Sequence, residues 1–207
     1  SVASRGLGDV YKRQESMHDD NIYAPPASGL QEPVPDAGNL EFYVVSKLKF
    51  SLLYFLTFGI YSLYWHYKNW TQYRRKHNES CFPVMRAIFS IFFTHTLFSE
   101  IRYRLKVNHP QVSWSSGIWA TMVVIVVIAE RVSEKLPSEL LSAILPLACY
   151  IAHGLLLLKV QAMINLACDD VDGVSNSRFS LLNYLWAGLI PVIILYYALE
   201  GAELLNF

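Results

Sequence analysis

His153 is the residue best placed to do chemistry in the apolar part of the sequence. It lies inside the hydrophobic run at residues 139–158, and an ionisable side chain at membrane depth is a functional candidate by default. The alternative is a neutral imidazole that bonds a neighbouring helix, with the small Ala152 and Gly154 allowing a close approach. Because the interiors of the hydrophobic runs offer no acidic partner, we predict the structural role.

Three carboxylates, Asp169, Asp170 and Asp172, precede Gly173 and Asn176 in a pattern that could hold a cation. A calcium loop needs oxygen ligands at alternate positions and a late glutamate that binds through both oxygens. No glutamate follows here, and aspartate, glycine, serine and asparagine are also ordinary turn residues. The pattern therefore predicts a turn and no metal site.

The other reactive side chains show no spacing that indicates catalysis. The cysteines Cys81, Cys149 and Cys168 lie far apart and form neither a disulfide framework nor a zinc pattern. We therefore predict no catalytic residue, no cofactor, no metal and no enzymatic activity. Four histidines fall near one predicted membrane face without a pattern of their own: His66, His77, His95 and His109.

A cluster of cations follows the aromatic residues that end the first hydrophobic run. Cations in this position either anchor the helix at the inner face or bind anionic lipid headgroups, at about 1 kcal/mol per charge. The formal net charge of the chain is zero, so a nucleic-acid partner is not expected. The candidate lipid contacts are Lys68, Arg74, Arg75 and Lys76.

Hydrophobic helices must position these residues. The chain is 53% hydrophobic and 16% charged, against about 45–50% and about 25% in soluble domains. A helix needs about 20 mostly apolar residues to cross a bilayer. We predict an all-α, polytopic membrane helix bundle in which Gly59, Ser62 and Gly154 allow close helix packing. The four predicted transmembrane helices cover about residues 49–67, 114–130, 139–158 and 181–199.

The segment at residues 83–106 decides the topology. Polar residues recur at spacings of mostly three and four, and Arg86, His95 and Glu100 offset the insertion energy of the apolar face. We predict an amphipathic interfacial or re-entrant helix here, with a fifth span as the alternative. The four-span arrangement leaves Lys47 and Lys49 on the outer side, against the usual charge bias.

The N-terminal part of the chain is not expected to fold. Residues 9–14 read Asp-Val-Tyr-Lys-Arg-Gln, which resembles the translation of a transposase end sequence used in preparing sequencing libraries. We therefore expect residues 1–16 to be a sequencing artefact or disordered, with Met17 as the natural start. Residues 17–46 are acidic and proline-rich, which predicts a disordered tail before a membrane bundle at residues 47–207.

Residues 59–68 read Gly-Ile-Tyr-Ser-Leu-Tyr-Trp-His-Tyr-Lys. This stretch resembles the Gly-Ile-Tyr-x-x-Tyr-Trp-x-Tyr-Lys signature of a family of small bacterial inner-membrane proteins that share a domain of unknown function. The resemblance implies a multi-pass protein of the bacterial inner membrane. It implies no reaction, substrate or catalytic residue.

Two functional hypotheses follow. The first is a non-enzymatic assembly or interaction protein whose partners are membrane lipids and a second copy or another membrane protein. The second is a small-solute or ion transporter or channel that uses His153, with Pro146 and Pro191 as breaks in the helices.

Overall fold

The chain folds into helices and connecting loops. The structure, a computed structural model, describes residues 40–133 and 135–204, with side chains as far as residue 197. Those residues contain no β-strand, so the prediction of an all-α fold is confirmed. The helices, in chain order, are α1 (Lys47–Leu56), α2 (Tyr61–His77), α3 (Pro83–Ile88), α4 (Ser90–Asn108), α5 (Ser116–Ser133), α6 (Glu139–Ala167) and α7 (Leu181–Leu204).

The single helix predicted over residues 49–67 is two helices, α1 and α2, which form a hairpin. The chain turns between them at Phe58 (φ 49°) and Gly59 (φ 82°). Both lie in the left-handed region, which cannot continue a right-handed helix and which glycine adopts without a steric penalty. The hydrophobic run continues through this turn, so composition alone does not reveal the break.

Contacts at its open end show that the hairpin returns to the side from which it starts. The backbone N–H of Tyr43, before α1, donates to Asn69 Oδ1 in α2 at 3.1 Å. Farther along, the rings of Phe50 and Trp65 meet edge to face, with centroids 6.4 Å apart. The two helices are therefore antiparallel, and the turn at residues 57–60 is the tip.

The amphipathic helix predicted over residues 83–106 is also divided. Pro83 opens α3, as the missing N–H of proline allows in a first helical turn. Phe89 (φ −95°, ψ 35°) leaves helical geometry and separates α3 from α4. The short α3 packs on α2, whereas α4 packs between α5 and α6.

Helices α5, α6 and α7 lie close to the predicted ranges at residues 114–130, 139–158 and 181–199. The main difference is in α6, which continues to Ala167. Its last turns contain the buried amides Gln161 and Asn165. Because these residues are polar, a prediction based on hydrophobicity ends the helix before them. Pro146 lies within α6 and Pro191 within α7.

Residues 40–46, predicted to be the end of the disordered tail, instead pack in the core. Phe42 and Val45 are fully buried, because the apolar stretch that follows the acidic tail fills the space between α2 and α6. The prediction of disorder is therefore wrong for residues 40–46. The predictions for residues 1–16 and 17–39 lie outside the described residues.

Candidate functional site

His153 lies on α6 opposite the tip of the α1–α2 hairpin. Its Nδ1 is 3.0 Å from the hydroxyl oxygen of Tyr54 in α1. Tyr54 is fully buried and stacks on Tyr150, with ring centroids 5.4 Å apart. This contact joins α6 to a neighbouring helix, and the structural role of His153 stays a prediction.

A second histidine, His66 in α2, was not singled out from the sequence as a site residue. It is only 3% exposed, and its Nδ1 is 2.9 Å from the carbonyl oxygen of Ser62. A carbonyl only accepts, so in the neutral imidazole Nδ1 carries the hydrogen and Nε2 is an acceptor. That buried Nε2 has no hydrogen-bond partner among the described residues.

His66 and His153 line one small cavity, which we call the two-histidine cavity. Its volume is about 30 Å³, enough for a water molecule, which needs at least ~10–15 Å³ and two to four polar partners. Hydroxyl side chains from α2 and α4 supply further polar groups, and valines of α5 close the other side. The lining residues are Ser62, His66, Ser90, Ile91, Thr94, Val123, Val124, Val127 and His153.

The chemistry open to this cavity is limited by its size. It has no room for an organic solute, but two imidazoles and three hydroxyls around a water molecule can pass a proton between them. Among the described residues, no group of three or more His, Cys, Asp or Glu side chains is placed to hold a metal ion.

The three small residues predicted to allow close packing have different roles. At Gly154, a Cβ atom would lie 2.5 Å from Tyr54 Cε1, so α1 approaches α6 only because the residue is glycine. Gly59 lies in the hairpin turn rather than within a helix, and its positive φ makes the turn possible. Ser62 lines the two-histidine cavity.

The predicted lipid-binding cations lie on α2, mostly in its last turn, where positive charge complements the helix dipole. Arg74, Arg75 and Lys76 are exposed, and we call them, together with Lys68, the basic face. Lys68 Nζ is 5.8 Å and 6.0 Å from the ring centroids of two tyrosines.

An ion-paired carboxylate joins this face to the rest of the fold. Glu41, before α1, is only 7% exposed and lies 2.8 Å from His77 Nε2 and 3.2 Å from Arg104 Nε. Glu41 therefore joins the start of the described chain to the C-terminal ends of α2 and α4.

The most extensive polar network holds residues 42–46, which we call the strap. The Asn165 side chain makes two hydrogen bonds to the backbone of Val45. Its Oδ1 accepts from the Val45 N–H at 3.4 Å, and its Nδ2 donates to the Val45 carbonyl at 3.0 Å. Gln161 Nε2 donates to the Tyr43 carbonyl at 3.0 Å, and Asn176 Nδ2 donates to the Val44 carbonyl at 2.9 Å. Side-chain amides thus supply hydrogen-bond partners to buried backbone groups of a segment that lies outside any helix.

The sequence held one unused signal for this network. Gln161 and Asn165 stand four residues apart, on one face of a helix, just beyond an apolar run. Two amides on one face of a buried helix need hydrogen-bond partners, so they indicate backbone N–H and carbonyl groups of another segment nearby. The partner segment could not be identified, because it lies more than a hundred residues away.

The carboxylates considered for calcium make protein contacts. Asp170 accepts hydrogen bonds from the backbone N–H groups of Val174 (2.8 Å) and Ser175 (3.0 Å). Burial raises the pKa of Asp170, but the hydrogen bonds from Ser175 and the backbone outweigh it, and the pKa is lowered overall. Asp169 pairs with His109 at 2.9 Å. The Asp170 contacts close the loop between α6 and α7, and the Asp169 contact joins the start of this loop to the end of α4.

Comparison of the chain with models of known protein families, with curated proteins and with solved structures finds no match.

Proposed function

We propose that this chain is an integral membrane protein in which α5, α6 and α7 cross the bilayer. α5 and α6 are long and apolar enough to do so, and α7 carries a shorter apolar stretch, Leu181–Tyr197. Only 22% of α5 and 17% of the most apolar part of α6 are buried, whereas the core helix of a soluble protein is mostly buried. Apolar surface of this extent supports contact with lipid.

In this topology the α1–α2 hairpin enters the membrane and returns. The ten residues of α1 rise about 15 Å, half of the ~30 Å hydrocarbon core. Lys47 and Lys49 then lie on the same side as the basic face, in accord with the positive-inside bias. A re-entrant hairpin, the amphipathic α4 and three crossing helices thus replace the predicted four spans.

The biochemical role we propose is non-enzymatic assembly, with a second copy or another membrane protein and with anionic lipids. The observation that carries it is the exposed basic face beside an apolar helical surface. The bacterial inner membrane is proposed from the motif at residues 59–68 and its family resemblance, which rests on sequence alone.

Crosslinking and mass spectrometry in native membranes test the assembly role. We expect amine-reactive crosslinks from Lys68 or Lys76 to one recurrent membrane protein or to a second copy, and fewer after Arg74 and Arg75 are changed to glutamine. A monofunctional amine reagent first shows that these lysines can react. Crosslinks that then form only within the chain itself would contradict the proposal.

A second candidate, proton transport, is favoured by the two-histidine cavity alone. The test is the decay of an imposed pH gradient across proteoliposomes that contain the purified chain. Transport predicts a faster decay than in protein-free liposomes, abolished by His66→Phe. Equal decay rates for the chain and the empty liposomes would eliminate this candidate.

A further inference from the structure

A second and larger cavity, of about 540 Å³, opens to the side of the molecule between the α1–α2 hairpin, α3 and α7. We call it the lateral groove. α7 packs only on α1 among the described helices, so a gap remains between α7 and the outer surface of α2. Leu53, Ile60 and Ile88 lie on one wall, and Trp186 and Ile190 lie on the other.

The groove offers its occupant little hydrogen bonding along its length. The Thr57 hydroxyl donates to the Leu53 carbonyl at 2.6 Å. Ser180 bonds Asn183, with 3.0 Å between the side-chain oxygens. The Thr57 and Ser180 hydroxyls and Asn183 Oδ1 are thus engaged with the protein, and the mostly apolar surface that remains fits an apolar chain.

The dimensions of the groove match one leaflet. Its second wall runs from Ser180, just before α7, to Ile190 within α7, which is a rise of about 15 Å. An acyl chain of one leaflet spans half of the ~30 Å core, or about 15 Å. The groove also starts at the level of the basic face, because Tyr67, next to Lys68, is part of its wall.

Cations lie beside the end of the groove. Lys68 is held over the rings of Tyr43 and Tyr64, and Tyr64 lines the groove. Arg178 is exposed and lies two residues before Ser180. An anionic headgroup complements these charges. A second copy seated in the groove itself would bring its own cations directly beside Lys68 and Arg178, which opposes docking in the groove but not assembly through other surfaces.

We propose that the lateral groove binds one acyl chain of an anionic glycerophospholipid, whose phosphate lies between Lys68 and Arg178. This inference rests on the proposed membrane topology. The bound lipid fills the space between the hairpin and α7. It therefore connects α7 to α2, whereas protein contacts connect α7 only to α1 among the described helices.

The test uses the full chain in nanodiscs that contain either phosphatidylglycerol or phosphatidylcholine, each with a photoreactive group on one acyl chain. After illumination, adducts are mapped by mass spectrometry. We expect adducts with phosphatidylglycerol to concentrate at Trp186 and Ile190, above the level at the exposed Ile125 and Ile128 of α5. A uniform distribution, equal labelling by both lipids, or crosslinks to a second copy in the groove would overturn the proposal.

Charge variants give an independent measurement. Lys68→Gln with Arg178→Gln should reduce the preference for phosphatidylglycerol in the groove about thirtyfold, since each cation near an anionic surface contributes about fivefold. The control, Arg102→Gln with Lys106→Gln, removes two exposed cations of α4 and should leave groove adducts unchanged. An equal loss in both variants would show general surface attraction and overturn the site.

The map of photoadducts also distinguishes a failure of the proposed lipid site from a failure of the proposed membrane topology. If the chain does not enter a membrane, the exposed apolar surfaces of α5 and α6 receive no adducts. If it does but the groove binds no particular lipid, those surfaces are labelled as strongly as the groove.

Discussion

His153 and Tyr54 form one of the few side-chain bonds between the hairpin tip and α6, at 3.0 Å. Tyr54→Phe removes the hydroxyl with little change in shape, and His153→Phe removes the ring nitrogen. We expect each variant to lower the free energy of unfolding by about 0.6 kcal/mol, a typical value for such bonds between membrane helices. Thermal unfolding in detergent measures both effects.

The double variant is the control for this bond. If the two side chains stabilise the fold through one shared interaction, the double variant loses less unfolding free energy than the sum of the losses in the two single variants. Unchanged stability of His153→Phe together with a lost cellular phenotype would contradict the structural role and favour the transport hypothesis.

Gly154 permits contact between α1 and α6 through the absence of a side chain. In Gly154→Ala the new methyl group would lie 2.5 Å from the Tyr54 ring. We expect a loss of about 1–3 kcal/mol in the free energy of unfolding, as for overpacked cores. Gly188→Ala is the matched control, because no heavy atom beyond its own helix and chain neighbours lies within 4 Å of the added Cβ. A chemical denaturation series that ranks the two variants equally would contradict this assignment.

At the scale of elements, the strap depends on amides rather than on its own secondary structure. Asn165→Leu leaves the N–H and the carbonyl of Val45 without their partner, and unpaired buried groups cost about 1–3 kcal/mol each. We expect lower thermal stability and faster proteolysis within residues 40–46. Asn165→Asp keeps the acceptor but loses the donor, so its effect should be intermediate. Unchanged proteolysis in Asn165→Leu would contradict the role of the amide.

The loop between α6 and α7 gives the fold a dependence on acid. Its Asp170 has a lowered pKa in the folded state, so the carboxylate stabilises the fold above its unfolded pKa of about 3.9. That contribution is lost as the pH falls through the folded pKa, because the unfolded state then binds more protons. We expect the wild-type melting temperature to fall as the pH drops below about 4, and to fall less in Asp170→Asn. Parallel pH profiles would contradict this.

Sequence reasoning located the long helices because their signal is local. The approximate ends of α5 and the start of α7 follow from hydrophobicity, and the predicted structural role of His153 rests on its apolar surroundings. The hairpin break at Gly59 was not predicted, because one glycine within an apolar run is compatible with a continuous helix. The cavity that brings His66 and His153 together and the partner segment of the amides in α6 depend on contacts between distant parts of the chain, which no local pattern encodes.

For the whole molecule, the side on which α1 begins distinguishes a re-entrant hairpin from a first span. Cys81 is buried and is therefore a poor probe. In a variant with the three cysteines changed to serine, single cysteines at Lys47, Lys76 and Lys135 report on exposed positions. We expect an impermeant maleimide to label Lys135→Cys in intact spheroplasts, and to label Lys47→Cys and Lys76→Cys only after permeabilisation.

The comparison of two positions supplies the control. A continuous first span places residues 47 and 76 on opposite sides of the membrane, whereas the hairpin places them on the same side. Opposite labelling of Lys47→Cys and Lys76→Cys would therefore contradict the re-entrant topology, whichever side each one occupies.

In the proposed topology, the hairpin that turns back at residues 57–60 adds its two helices to one leaflet only. Each helix fills a cylinder about 10–12 Å across, and α1 and α2 add theirs only on the side of the basic face. In that topology, the chain displaces more lipid from one leaflet than from the other. Such a wedge fits with least strain where the wider leaflet is on the convex side, so we expect the proposed topology to couple the position of the protein to membrane curvature.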